Sequence, residues 1–222
     1  MTRSLGVLFL VFAACQGSPE AGDDRATGSP AVTRPVRQTV LFVGTSLTAG
    51  LGIAPEDAFP ALIQQKIDSA GLSYRVVNAG VSGASSAEGL ARISWLLRQP
   101  VDVLVLELGA NDGLRGTSVE AMGRNLQAIV DSARAHNVAV RLVVVGMEAL
   151  PNLGRRYTEQ FRQAFRDVAS RNGAALIPFL LEGVAAEDSL NQGDGMHPTE
   201  AGHRIVAENL WRVLEGVLRT RE

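Results

Sequence analysis

Five short apolar runs alternate with longer stretches of helical periodicity, and this alternation predicts a three-layer α/β/α sandwich around a five-stranded parallel sheet. The runs are Val40–Val43, Tyr74–Asn78, Val101–Glu107, Val140–Val145 and Ala175–Ile177. Each is nearly continuous rather than alternating, as in a strand covered on both faces. The segments between them are long enough for crossover helices, which implies parallel strands and right-handed connections. The expected strand order is the flavodoxin-like 2-1-3-4-5.

Taken in chain order, the helices are expected at about Ala58–Ala70, Ser86–Leu97, Val119–His136, Arg156–Asn172 and Glu200–Leu218. Ser118 is suited to cap the helix that follows it. Asn137 and the Asn172-Gly173 pair are suited to the left-handed residue that ends a helix. In such a sheet, ligands bind beyond the carboxyl ends of the strands, where the strand order reverses. Ser46 follows the first strand, Gly80 the second and Asn111 the third, so all three are expected at one crevice.

With 222 residues, 46% of them apolar and 20% charged, the chain suits one domain with a sizeable core. Its formal charge of -2 argues against a nucleic-acid partner, which would need a concentrated basic face. The N-terminus has a different character. Arg3 precedes an apolar segment, Leu5 to Ala14, too short to span a bilayer but suited to a signal-peptide core. The segment ends in Val11-Phe12-Ala13-Ala14-Cys15, which resembles the lipobox of bacterial lipoproteins, with Phe12 in place of the usual Leu. An ordinary secretory leader is the alternative. Cys15 is the single cysteine, so no disulfide forms within the chain. Residues 1–15 are thus expected to be a signal peptide with a lipidation site at Cys15. Residues 16–37, rich in Gly, Ser, Pro and charge, are expected to be a flexible linker. Residues 38–222 are expected to form the domain, exported and held at a membrane through the lipid on Cys15.

The chemistry-bearing residues cluster in a few motifs. Gly44-Thr45-Ser46-Leu47 follows the first strand and exposes a hydroxyl, and Asp194-Gly195-Met196-His197 lies near the C-terminus. A serine is a poor nucleophile until a base takes its proton, and the base works best when a carboxylate fixes its tautomer. Ser46, Asp194 and His197 supply all three parts. The oxyanion formed in acyl transfer also needs donors already in place. The turn Asn78–Gly83 offers backbone N–H groups, Asn111 a side-chain amide, and Ser46 its own N–H. Gly44 to Gly52 lacks both the P-loop ending and the dinucleotide fingerprint. Thr48 breaks the G-x-S-x-G elbow. No residue cluster has metal-ligand spacing, so neither metal nor cofactor is expected. His136 and His203 are read as structural, and Asp112 as a local brace for the Asn111 loop.

Gly44-Thr45-Ser46-Leu47, Gly80, Gly109-x-Asn111-Asp112 and Asp194-x-x-His197 resemble the four sequence blocks of the GDSL, or SGNH, esterase superfamily. Gly109–Gly116 and Gly154-Arg155-Arg156-Tyr157 resemble its bacterial thioesterase, lysophospholipase and arylesterase branch. The resemblance implies Ser46 as nucleophile, His197 as general base and acid, and Asp194 as orienter. It further implies an oxyanion hole of Ser46 N–H, Gly80 N–H and the Asn111 amide. Thr45 departs from the family, whose name carries Asp there. The loop Met147–Leu153 favours an apolar acyl group, with Leu114, Leu150 and Pro151 as substrate-binding residues. The expected partner is therefore a small-molecule ester or thioester. A carbohydrate (acetyl) esterase and a non-catalytic acyl-binding lipoprotein are the alternatives.

Overall fold

Strand β1 (Gln38–Gly44) is buried from Thr39 onward and lies between β2 (Tyr74–Gly80) and β3 (Val103–Glu107). β4 (Arg141–Val145) and β5 (Ala175–Ile177) complete a parallel sheet of order β2-β1-β3-β4-β5, as the alternating pattern predicts. The computed structural model describes residues 37–220. The expected leader, Cys15 and all but the last residue of the linker lie outside them.

Among the described residues the α-helices are α1 (Ser46–Ala49), α2 (Phe59–Ser69), α3 (Ser86–Leu96), α4 (Ala110–Leu114), α5 (Val119–His136), α6 (Arg155–Arg171) and α7 (Glu200–Arg219), the first six between strands and α7 after β5. α2 packs with α7, while α3, α5 and α6 pack side by side as a second layer. Between the layers sits a core of β-branched strand residues and helix aromatics. Phe42 of β1 meets Phe59 of α2 edge to face at 5.9 Å, a geometry that favours the ring quadrupoles. Phe59 is wholly buried, which stabilises the fold by about 1.5–3 kcal/mol relative to exposure.

The five long helices match expectation to within a residue or two, and Ser118 caps α5 by accepting the Ala121 N–H. Asn137 does not end α5 in the left-handed form: it is extended, with φ −143°. Its side chain instead donates to Val101 O and accepts from Ala139 N–H, tying the helix end to the strand layer. After α6 it is Gly173, with φ 57°, that takes the left-handed position, and Asn172 does not. The third strand starts at Val103 rather than Val101, and just before it the Asp102 carboxylate accepts the Thr39 N–H in place of a backbone carbonyl.

The register brings the functional residues level. Gly44 pairs with Gly80 on one side and Glu107 on the other, so three strands end at the same height.

Candidate active site

The chain leaves β1 at Gly44 and enters α1 at once. A Cβ on Gly44 would collide with the Thr48 hydroxyl and lie 2.6 Å from a Glu107 carboxylate oxygen, so glycine lets the turn close. Thr45 caps the short helix, and Ser46 occupies its first position, almost buried. The N–H at that position has no acceptor within the helix.

The loop before α7 brings up the other two groups. It is tied back by a bridge between Asn191 and Pro198 and by the Gln192 N–H, which donates to His197 O at 2.7 Å. Asp194 Oδ1 accepts the N–H groups of Met196 at 2.9 Å and His197 at 3.0 Å. Asp194 Oδ2 lies 2.6 Å from His197 Nδ1, and His197 Nε2 lies 2.9 Å from Ser46 Oγ. The backbone and ring of His197, then the N–H of Met196, hold the Asp194 carboxyl well below the usual carboxylate range. An ionised Asp194 keeps the imidazole proton on Nδ1, which leaves Nε2 to accept from the Ser46 hydroxyl.

Two of the expected oxyanion donors face the same space. Ser46 and Asn111 both line the cleft, and Asn111 Nδ2 donates one hydrogen to Ala84 O at 3.0 Å, leaving the other. Gly80 is not brought there. Its N–H is taken by Asn78 Oδ1 at 2.9 Å, and a Cβ on it would strike the backbone of Thr48 and Ala49. Gly83, three residues on, lines the cleft instead. It has φ 79° and open space where a Cβ would stand, and its N–H has no partner among the described residues. The Asn78–Gly83 turn is thus where expected, but a different glycine of it is presented. Asp112 does hold the Asn111 loop, but through a distant partner rather than a local bond. Its carboxylate takes the N–H and hydroxyl of Ser86 at 2.8 and 2.7 Å, fastening the Asn111 loop to the start of α3.

The cleft has a volume of about 580 Å³. Leu114, Leu150 and Pro151 line it as expected, and Leu51, Met147, Phe179, Leu181 and Met196 also contribute. The last five come from loops whose apolar side chains carry no periodic signal. A larger open groove of about 970 Å³ between α5 and α6 is lined mostly by polar and charged side chains, with none of these groups. His203, read as structural, is buried on α7, where Nδ1 accepts the Phe59 N–H at 3.1 Å. His136 contacts Ser132 O within its own helix. Among the described residues no cluster of three or more His, Cys, Asp or Glu is placed to hold a metal ion. No helix among them is long and apolar enough to cross a membrane.

Residues 42–205 match the GDSL-like Lipase/Acylhydrolase family. The chain is 42% identical over 182 residues to Esterase TesA of Pseudomonas aeruginosa, covering 82% of this chain and 90% of the relative. It is 37% identical over 179 residues to Thioesterase 1/protease 1/lysophospholipase L1 of Escherichia coli, with 80% and 83% covered. A crystal structure of TesA superposes with a TM-score of 0.77 at 40% identity, covering 81% of this chain and 99% of that one.

Proposed function

Because the chain belongs to the GDSL-like Lipase/Acylhydrolase family, and is an ester-hydrolysing serine hydrolase, we propose that Ser46, His197 and Asp194 perform the acyl transfer. The observation that carries this is the unbroken hydrogen-bonded line from Asp194 through His197 to Ser46 Oγ. Ser46 Oγ attacks the carbonyl carbon of an ester or thioester while His197 Nε2 takes its proton. The carbonyl π electrons move to oxygen, and the oxyanion is met by the Ser46 N–H, the free hydrogen of Asn111 Nδ2 and the Gly83 N–H. Gly83 takes the part first expected of Gly80. When the tetrahedral intermediate collapses, the bond to the leaving oxygen or sulfur breaks and His197 returns the proton to that atom. Water then attacks the acyl-serine, with the same imidazole as base, releasing the acid and free Ser46.

The acyl group enters the cleft beneath Leu114, Leu150 and Pro151. Its apolar walls favour a hydrocarbon chain over an acetylated sugar, whose hydroxyls would lose water there without replacement. The reading is tested with Ser46→Ala, which should bring ester hydrolysis to background while leaving Tm near the wild-type value. Wild-type turnover in that variant would refute it.

Export and a lipid on Cys15 are further parts of this reading, supported by the apolar segment Leu5–Ala14 and the lipobox-like residues before the cysteine. Incorporation of labelled fatty acid into the wild type, lost in Cys15→Ser, is the expected result. Equal labelling of both would contradict it.

A further inference from the structure

The acyl-transfer steps leave two buried carboxylates unused, Asp112 and Glu107. Glu107 ends an otherwise apolar strand, Val103-Leu104-Val105-Leu106, and is wholly shielded from solvent. Its carboxylate reaches both sides of the nucleophile. Oε2 accepts the Thr45 N–H at 2.9 Å and the Thr48 hydroxyl at 2.6 Å, while Oε1 accepts the Thr45 hydroxyl at 3.0 Å. Ser46 sits between those two threonines. Gly44 lets the carboxylate come this close, and the register that sets Glu107 beside Gly44 fixes its height. Among the described residues no Lys, Arg or His forms an ion pair with Glu107; hydrogen bonds from the nucleophile turn are what it receives instead.

We propose that Glu107 is a positioning residue for acyl transfer, clamping Thr45 and Thr48 so that Ser46 Oγ and N–H face His197 and the carbonyl. The inference rests on Ser46 being the nucleophile. A carboxylate suits this place because it accepts hydrogen bonds at two oxygens, whereas an amide offers one acceptor oxygen and would make the Thr45 hydroxyl turn its proton away and accept instead. Thr45 completes the match. Its hydroxyl has a proton to give Glu107, so the two form a bond without sharing a titratable proton. An ionised aspartate at that position would have none. By absorbing the Thr45 N–H, Glu107 also leaves the neighbouring Ser46 N–H as the donor turned to the cleft. Displacing a reacting group by about 1 Å costs roughly 10²-fold in rate, so the clamp acts on turnover rather than on affinity.

The experiment compares the full chain with Glu107→Gln, Thr45→Val and Thr45→Ser. It reads kcat and KM for p-nitrophenyl butyrate, the rate of Ser46 phosphonylation by a p-nitrophenyl alkylphosphonate, and Tm. Glu107→Gln and Thr45→Val are expected to lower kcat and phosphonylation together, by roughly 10- to 100-fold. KM should stay within about threefold, measured well below each Tm. Thr45→Ser restores the donor and should recover most of the loss. A folded Glu107→Gln with wild-type kcat and phosphonylation would overturn the inference. Should Glu107→Gln not fold, Thr48→Val, which removes a Glu107 contact but no helix cap, decides: wild-type kcat and phosphonylation overturn the inference, and a joint loss of both supports it. Turnover surviving in Ser46→Ala would remove the nucleophile assignment as well. An inert Ser46→Ala beside an unimpaired Glu107→Gln would remove only the clamp.

Discussion

Ser46 Oγ and His197 Nε2 stand 2.9 Å apart although 151 positions separate the two residues in sequence. One sits just past the carboxyl end of β1, an interior strand, the other in the loop before the last helix. The contact therefore exists only when the whole sheet has formed, and the chemistry reports on the fold.

Asp194 acts on this contact through the imidazole tautomer. Asp194→Asn keeps the size of the side chain but no longer requires a proton on Nδ1. It should lower kcat by about 10³–10⁴-fold with little change in KM. Steady-state kinetics on one ester check this; a loss confined to KM would contradict it.

The packing role of Gly80 and the oxyanion role of Asn111 are separable by experiment. Gly80→Ala drives a Cβ into the Thr48 and Ala49 backbone and should destabilise by about 1–3 kcal/mol, seen as a lower Tm. Asn111→Ala removes a donor to the oxyanion and should lower kcat by about 10²–10³-fold. A Gly80→Ala protein of unchanged Tm would mean that the close approach to α1 is not real.

Much of this architecture is legible in the residues. Val40–Val43 and Val103–Leu106 are continuous apolar runs because both faces of an interior strand are covered, the long crossovers give parallel pairing, and the order is that of the flavodoxin-like pattern. α1 and α4, of four and five residues, escape because they are too short to show a helical period. The choice between Gly80 and Gly83 also escapes. Both lie in one turn, and the Asn78 side chain decides which N–H is already paired. Glu107 stands out in sequence as the charge ending an apolar strand, but its partners Thr45 and Thr48 are defined only by strand pairing. Asn137 shows the same limit, since its amide finds Val101 O from a distant segment.

His203 gives the fold a pH dependence. Burial pushes its imidazole down to about 4 from an ordinary 6.5, with the Asp57 charge opposing. Between those values the unfolded chain binds a proton that the folded one does not, so the contribution is full above about 6.5 and is lost as pH falls toward 4. In urea denaturation, the stability gap between wild type and His203→Gln should shrink from pH 7 to pH 4.5. A gap independent of pH would contradict the neutral, buried ring.

Leu150 lies half-exposed on the cleft rim. Leu150→Ser should raise KM for an octanoyl ester by about 5–10-fold, through lost apolar contact, while KM for the acetyl ester stays within about twofold. Equal effects on both esters would place the acyl chain elsewhere.

The most direct test is hydrolysis of p-nitrophenyl esters from acetate to palmitate by the wild type beside Ser46→Ala. Turnover is expected to peak at medium chains and to fall to background in the variant. Turnover that persists without the Ser46 hydroxyl, or that is greatest for acetate, would contradict an acyl-serine enzyme with a hydrocarbon cleft.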